Sequence, residues 1–399
     1  MALLWLAADW AKSQPVILSV VTIDHRLRPE SNAETLVVKQ AAKQLGLAHT
    51  TLTWQGWQGE GNLQDAARQA RLTLINAWRG DIRHVLMAHT LDDQAETFLM
   101  RLRRGSGVDG LSGIAPRRTL GHSLPPQIDE TISAGIGSAE WHIIRPLLDI
   151  SRVALRQYLT TIEADWVEDS SNHDSRYERV RMRQVMPHLD AVGLHPDNLA
   201  ATAKSLRRAR EALTRRALDV ARRSVREFDG DVVFERQSLE IVEEETQLRL
   251  LAAALCWVSS NHYRPRIGAL ETTLLAALRG TSGVLHGCLI HVDAEHLWVT
   301  REYRAVQHIL QRVGDDGLWD DRWQICAPDL EGLDIRALGP DGVRQIGTAW
   351  HNRPNYAIIQ SKPALFSGNS LISCLSAGVG PAYKQVILPA SFTSLLIEH

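Results

Sequence analysis

His89-Thr90-Leu91-Asp92-Asp93-Gln94-Ala95-Glu96-Thr97 marks a change of pattern in the chain. Before it runs Val85-Leu86-Met87-Ala88, a short apolar stretch that reads as a buried parallel strand. After it, Asp92 to Arg104 has helical spacing, with Phe98, Leu99 and Leu102 on one face. His89 therefore falls near the C-terminal end of a strand and the acids in the first turns of a helix. In open α/β sheets that edge is where ligands bind. Asp92 and Glu96 are four apart and Asp93 and Glu96 three apart, so the acids share a helix face. Such a group suits a Mg²⁺ held against phosphate oxygens, or a cationic amine. Helix capping explains Asp92 equally well, since Asp is favoured at helix starts and acids suit the positive end of the dipole. Capping does not call for His89, two adjacent Asp and Glu96 together.

Working outward, the same alternation recurs. Pro15 to Ile23 is a Val/Ile-rich strand with Asp24 and His25 at its C-terminal end. Ser31 and Glu34 have capping-box spacing for a helix that Gly46 stops near Leu45. Ala48 to Trp54 is a short strand, and Asn62 caps a helix through about Trp78. Trp141 to Leu148 is another strand, followed by a helix that Ser151 caps and that runs to about Ile162. Strands alternating with helices of this length mean βαβ units and a parallel sheet. Met1 to Lys12 is helical in pattern. The glycine-rich basic run Arg103-Arg104-Gly105-Ser106-Gly107-Val108-Asp109-Gly110-Leu111 suits a phosphate, and equally a helix C-cap followed by a turn. Gly121 to Ser138 reads as a surface excursion.

The 399 residues suffice for two or three domains, and 44% hydrophobic with 23% charged residues is ordinary for a soluble globular protein. No apolar run reaches spanning length and no signal peptide is evident. Cys256, Cys288, Cys326 and Cys374 lack paired metal spacing and fit reduced thiols in a cytoplasmic protein. The net charge of −2 decides nothing, but Arg176 to Arg226 carries 13 Lys and Arg against 5 Asp and Glu. That is the footprint of a phosphate-backbone partner, or of a solvated helical face. The expected organisation is an α/β domain over 1–192, a helical domain over 193–280 and a small α+β, strand-rich C-terminal domain over 281–399.

The nonapeptide His89 to Thr97, Arg104-Gly105-Ser106-Gly107 with Gly110-Leu111, and Arg145-Pro146-Leu147-Leu148 resemble, in order and spacing, the tRNA(Ile)-lysidine synthase family of PP-loop ATPases. Asp24 to Ser31, Asn62-Leu63-Gln64 with Ala66-Ala67-Arg68, Glu168 to Asn172, Arg176-Tyr177 with Arg181-Met182-Arg183, and Pro187 continue the likeness over about residues 1–190. The resemblance implies an adenine nucleotide hydrolase-like fold. It also implies ATP-dependent ligation of free lysine to C2 of the wobble cytidine, position 34, of the isoleucine tRNA with a CAU anticodon. An adenylated tRNA would be the intermediate, Mg²⁺ a cofactor and a homodimer the expected assembly. The family binds pyrophosphate with a Ser-Gly-Gly-x-Asp-Ser loop, an anion nest at a helix N-terminus. That loop is absent from this sequence, and Met1-Ala2-Leu3-Leu4 resembles the family's segment directly after its final serine. The expectation is a strand and loop upstream of Met1; the alternative is their loss, with weak ATP binding. Val180 stands where the family usually has Asn.

On this resemblance Asp92, Asp93 and Glu96 are the catalytic candidates. Asp93 and Glu96 would hold the lysine ammonium, with one acid removing a proton, and Asp92 would serve Mg²⁺. Asp24, His25, His89 and Arg104 are ATP-binding candidates, with a structural role open for His89 and a turn role for Asp24. Arg145, Arg181, Arg183, Arg207, Arg208, Arg215 and Arg216 are the tRNA-binding candidates, with a structural ion pair open for Arg145. Two other readings stand beside these. One is an RNA-binding remnant; the other is a different Mg²⁺-dependent enzyme using Asp92, Asp93 and Glu96, whose all-helical relatives the strands argue against.

Overall fold

Val20, Val21, Thr22 and Ile23 are β-branched, and Ser19–Asp24 forms strand β1 after helix α1 (Ala2–Ala11). Helix α2 (Ser31–Gln44) ends at Gly46, whose φ of 70° turns the chain into β2 (Ala48–Thr53), parallel to β1. Next come α3 (Leu63–Trp78), β3 (His84–Leu86), α4 (Leu91–Arg103), α5 (Val108–Leu111), β4 (Arg117–Leu120), β5 (Trp141–Ile144), α6 (Arg152–Thr161), α7 (Glu178–Asp190) and α8 (Pro196–Ser224). The computed structural model describes residues 1–26, 31–55, 63–120, 140–167, 178–261, 263–347, 356–388 and 391–398. The surface excursion at Gly121 to Ser138, the run Glu168 to Asn172 and the pair Arg176-Tyr177 lie outside the described residues. The chain divides into two units, Met1–Arg210 and Glu211–His399.

In the first unit the sheet is not wholly parallel. β3 pairs parallel with β5, but β4 runs antiparallel on the far side of β5. Among the described residues no ladder joins β1 to β3, so β1–β2 and β3–β5–β4 are separate hydrogen-bonded sheets. They share apolar packing: Ile23 of β1 lies against Val85, Ile75, Trp141 and Ile143. Helix α4 buries Leu91, Ala95 and Phe98, at helical spacing, and packs with Leu199 and Ala203 of α8. Leu102 does not join that face and is 51% exposed; the inward contacts of the last turn of α4 fall to Arg101, which donates to the carbonyls of Gly110 and Gly113. The glycine-rich run is a helix end: Gly105 has φ 68°, its N–H bonds the carbonyl of Leu102, and α5 follows at once. Gln94, buried on α4, exchanges two hydrogen bonds with the backbone of Ile114, at 2.8 and 2.7 Å, and so fixes the chain beyond α5. Helix α1 lays Ala2 and Trp5 against Leu159, Leu155 and Tyr158 of α6.

The second unit is built on antiparallel sheets. Its elements are β6 (Val225–Phe228), β7 (Asp231–Glu235), α9 (Arg236–Glu240), α10 (Glu244–Ser259), α11 (Ile267–Leu278), β8 (Gly283–Leu285), β9 (Cys288–Val292) and β10 (His296–Arg301), then α12 (Tyr303–Val306), β11 (Leu310–Arg312), β12 (Trp323–Cys326), β13 (Asp334–Ala337), α13 (Gly339–Ile346), α14 (Tyr356–Ile359), β14 (Pro363–Ser367), β15 (Ser370–Ser373), β16 (Lys384–Ile387) and α15 (Thr393–Glu398). The larger sheet has the order β6-β7-β10-β9-β8. It takes β6 and β7 from a stretch expected to be helical, so the boundary expected at 280 falls inside a sheet. The physical reason is local: Val232, Val233 and Phe234 are all buried and need partners on both sides, which β6 and β10 supply. Helix α10 is buried from Thr246 to Val258 and forms the core with Phe234, Ile290 and Val299. A second sheet has the order β11-β13-β14-β15.

One ion pair links these two sheets of the second unit. Lys362, beside β14, reaches Asp231 of β7 at 2.6 Å and the carbonyl of Asp229 at 2.6 Å. Both side chains are buried, and burial pushes the Asp231 carboxyl up against the pull of Lys362. Nearby, Arg322 is stacked 4.5 Å over Trp257 and donates to the carbonyls of Val258 and Gly230. Lys362→Met is expected to destabilise the unit by about 3–5 kcal/mol in urea unfolding, because it strands a buried carboxylate. Asp231→Asn combined with Lys362→Met is expected to cost less than Lys362→Met alone. A double variant as unstable as the single one would show that the pair's charge is not what matters.

Candidate active site

The chain leaves β3, pairs once more through the Met87 N–H to the carbonyl of Ile144 at 2.9 Å, and enters α4 at Thr90. Thr90 and Asp93 form a capping box: the Thr90 hydroxyl faces the Asp93 N–H at 3.4 Å, and the Thr90 N–H donates to Asp93 Oδ2 at 2.8 Å. The capping role therefore falls on Asp93. Asp92 instead accepts the Arg152 N–H at 2.6 Å and so caps α6 from outside. Asp93 is left with Oδ1, which has Arg152 Nη2 at 3.6 Å and Arg179 Nη1 at 3.9 Å. Glu96 is the deepest acid, with its side chain 1% exposed. Its Oε1 accepts from Arg183 Nε at 2.6 Å and lies 3.3 Å from Arg152 Nη2.

These contacts set the charges. Burial pushes the Asp93 carboxyl up, but the Thr90 N–H and hydroxyl, Arg179 and Arg152 overcome it and hold the group below the usual carboxylate range. Burial works to lower Arg183, and its hydrogen bond and ion pair with Glu96 more than reverse that, raising it above an ordinary arginine. His89 is pushed down to about 4 by burial and by Arg145, Arg179 and Arg71, with Asp93 opposing. Its Nδ1 is buried and has no hydrogen-bond partner among the described residues.

Asp24 is buried at the end of β1, where its Oδ1 accepts the Arg26 N–H at 2.9 Å, a turn-like contact. His25 stands edge-on to Trp54 and 3.4 Å from Arg71 Nη2, with its own Nδ1 buried and unpartnered among the described residues. Burial and Arg71 lower His25, with Asp24 opposing. Both histidines thus lie within the influence of Arg71 from the ends of different strands. Arg145 is buried, donates to the carbonyl of Ala115 at 2.7 Å and is pushed down to about 10 by burial, Arg68 and Arg118. Arg104 is exposed and, with Arg103, clamps Glu178 at the start of α7.

The structure therefore brings Asp93, Glu96 and Arg183 together, with Asp92 beside them through Arg152 and with Arg145 and Asp93 both acting on His89. Arg207 turns inward onto the carbonyls of Ser112 and Ile114. Arg181 and Arg208 are exposed. Arg215 and Arg216 are exposed residues of the second unit, Arg216 pairing with Glu243 at 3.1 Å. Val180 is buried on α7. Sequence reasoning missed Arg71, Arg152 and Arg179, which act on His89 or Asp93. For Arg152 a signal was present: it follows the cap Ser151 as the first residue of α6, where the helix dipole disfavours a cation unless acids hold it.

Among the described residues no group of three His, Cys, Asp or Glu is gathered to hold a metal. Glu96 is engaged by arginines, Asp93 by the helix cap, and Asp92 gives Oδ2 to a backbone N–H. That fits a Mg²⁺ that brings its phosphate ligands with it and needs one carboxylate, and not a cage of protein ligands. Among the described residues no helix is long and apolar enough to cross a membrane.

A histidine neutral in the folded state and ordinary in the unfolded one makes stability pH-dependent with a definite sign. The unfolded chain takes up the proton first, so stability is full above about pH 6.5, the ordinary value, and falls as the pH drops toward about 4. His89→Asn is expected to flatten that part of the decline in denaturation curves taken from pH 7 to pH 4. NMR titration of the His89 ring is expected to give a midpoint far below 6; an ordinary midpoint would remove the desolvated imidazole from the site.

A family model described as a PP-loop domain matches residues 1–189. The tRNA(Ile)-lysidine synthase of Ruegeria pomeroyi is 38% identical over 404 aligned positions, covering 100% of this chain and 91% of that protein. The tRNA(Ile)-lysidine synthase of Wolbachia pipientis wMel is 33% identical over 84% of this chain and 75% of its own length. That of a Bradyrhizobium species is 37% identical over 72% of this chain and 78% of its own. With an ATP-binding PP-loop domain in its first half and a likeness that runs its whole length, the chain belongs to the tRNA(Ile)-lysidine synthase family of tRNA-modifying ligases.

Proposed function

We propose that this chain joins free lysine to C2 of the wobble cytidine of the CAU-anticodon isoleucine tRNA, in two steps, at the acid–arginine site on α4. In the first step the C2 oxygen of cytidine attacks the α-phosphorus of ATP and pyrophosphate leaves. In the second the ε-amine of lysine attacks C2 and AMP leaves, carrying that oxygen. The amine must shed a proton before or during attack, and one carboxylate of the Asp93–Glu96 pair takes it. The observation that carries this reading is Asp93 Oδ1, a carboxylate oxygen held ionised, not consumed by the helix cap and faced by the guanidinium groups of Arg152 and Arg179. It is an ammonium-holding group at the sheet edge where the nucleotide is expected.

The neighbouring residues take roles set by their surroundings. His25 and His89, neutral and each with a buried Nδ1 unpartnered among the described residues, offer hydrogen bonds to the nucleoside without adding charge. Asp24 orders the turn after β1 beside them. Mg²⁺, when bound with ATP, would neutralise the phosphates and would find its carboxylate in Asp92. Arg183 and Arg145 set the potential of the site and hold its walls, while exposed Arg181, Arg208, Arg215 and Arg216 offer phosphate contacts to tRNA. Arg104 can serve a phosphate only by leaving Glu178, and Arg207 only by leaving two carbonyls.

The test is transfer of labelled lysine to the tRNA with ATP and Mg²⁺. Asp93→Asn is expected to lower lysine transfer by about 10²–10⁴-fold, the usual worth of a positioned acid or base, and to lower ATP–pyrophosphate exchange much less. Equal loss in both half-reactions would place Asp93 with ATP and overturn its assignment to lysine. Arg208→Ala with Arg215→Ala is expected to raise the KM for tRNA and to reduce its salt dependence, with little change in the KM for lysine.

A further inference from the structure

The acids assigned to the lysine ammonium are already occupied by a cation of this chain. Arg152 Nη2 lies 3.3 Å from Glu96 Oε1 and 3.6 Å from Asp93 Oδ1, bridging the two carboxylates. Glu96 has a second, closer partner in Arg183 at 2.6 Å, and Asp93 has Arg179 at 3.9 Å. At Glu96 the Arg152 contact is the longer of the two, and at Asp93 neither guanidinium comes closer than 3.6 Å. Arg183 is the tight partner of Glu96; Arg152 is the guanidinium that spans both carboxylates without a close contact to either.

Its place in the fold is unfavourable. Arg152 is the first residue of α6, and its guanidinium stands at the positive end of that helix. The Arg152 N–H is fixed to Asp92, so the side chain can leave the carboxylates without moving the helix start. Buried carboxylates do not stand unneutralised in low dielectric, and Arg183 supplies one positive charge against the two negative charges of Asp93 and Glu96. A second cation that covers the pair when no lysine is bound meets that need.

We propose that Arg152 is a placeholder for the lysine ε-ammonium. It neutralises the Asp93–Glu96 pair when no lysine is bound and is displaced toward solvent when lysine enters. This deepens the proposed function and rests on its assignment of the pair to lysine. Arg152 is then a specificity-determining residue: lysine must outcompete a tethered guanidinium, and amines that bind the pair weakly do not.

The experiment is equilibrium dialysis of labelled lysine against the full chain, its Arg152→Met and Arg152→Ala variants, and Asp93→Asn, with circular dichroism confirming that each is folded. Arg152→Met keeps the apolar stem and removes the charge. It is expected to tighten lysine binding at least five-fold. Guanidinium ion at millimolar concentration is expected to compete with lysine on Arg152→Ala and to have far less effect on the unaltered chain, whose own guanidinium fills the place. Lysine binding that is unchanged or weaker in Arg152→Met, or guanidinium that promotes lysine binding to Arg152→Ala, overturns the proposal and makes Arg152 a positioning residue. If the unaltered chain binds lysine and Asp93→Asn binds it equally well, the assignment of the pair to lysine fails and the placeholder fails with it. Arg152→Lys separates charge from geometry: an ammonium at that position is expected to leave lysine binding weaker than in Arg152→Met.

Discussion

A carboxylate buried to 1% exposure governs the first unit. Glu96 sits on the inner face of α4, where water cannot reach it, so the fold must bring cations to it. Arg183 comes from α7 and Arg152 from α6, and both helices are thereby tied to α4. Farther along, Glu178 at the start of α7 takes Arg103 and Arg104 from the end of α4. The two helices are thus pinned at two points, near their middles and at one end, by charge pairs of opposite order. The apolar face of α4, with Ala95 and Phe98, is left to Leu199 and Ala203.

The same balance explains the character of the site. Several guanidinium groups act on one small region, and a positive charge on the histidines within it is strongly disfavoured. His89 stays neutral because burial and three arginines oppose its protonation more strongly than Asp93 favours it. Asp93 stays ionised because two groups of Thr90 and two arginines outweigh its burial. Neutral imidazoles, an ionised acid and surplus guanidinium charge give this region a positive field that suits a polyanion.

Much of this is legible in the residues alone. The nonapeptide at His89 signals a strand, a turn and an acidic helix because each has its own periodicity, and the β-branched run of β1 marks it as a strand. Local signals mislead where one rule serves two structures. Asp92 and Asp93 both satisfy the preference for acids at a helix start, and only the tertiary fold makes Asp93 the cap partner of Thr90 and Asp92 the acceptor for α6. Leu102 keeps the helical spacing of a core residue on a turn whose inward contacts are made by Arg101, and it is left exposed. Val232 to Phe234 reads as well in a helix as in a strand, and the neighbours β6 and β10 decide.

By itself the sequence determined the alternation of strands and helices, the place of the acids at a sheet edge, and the family, since these rest on local periodicity and on ordered motifs. Only the tertiary structure decided which cation meets which acid. Arg152, Arg179 and Arg183 lie 56 to 87 residues from the acids they neutralise. No local rule pairs charges across such distances. Packing does, because burying Glu96 leaves the chain no choice but to bring its partners in.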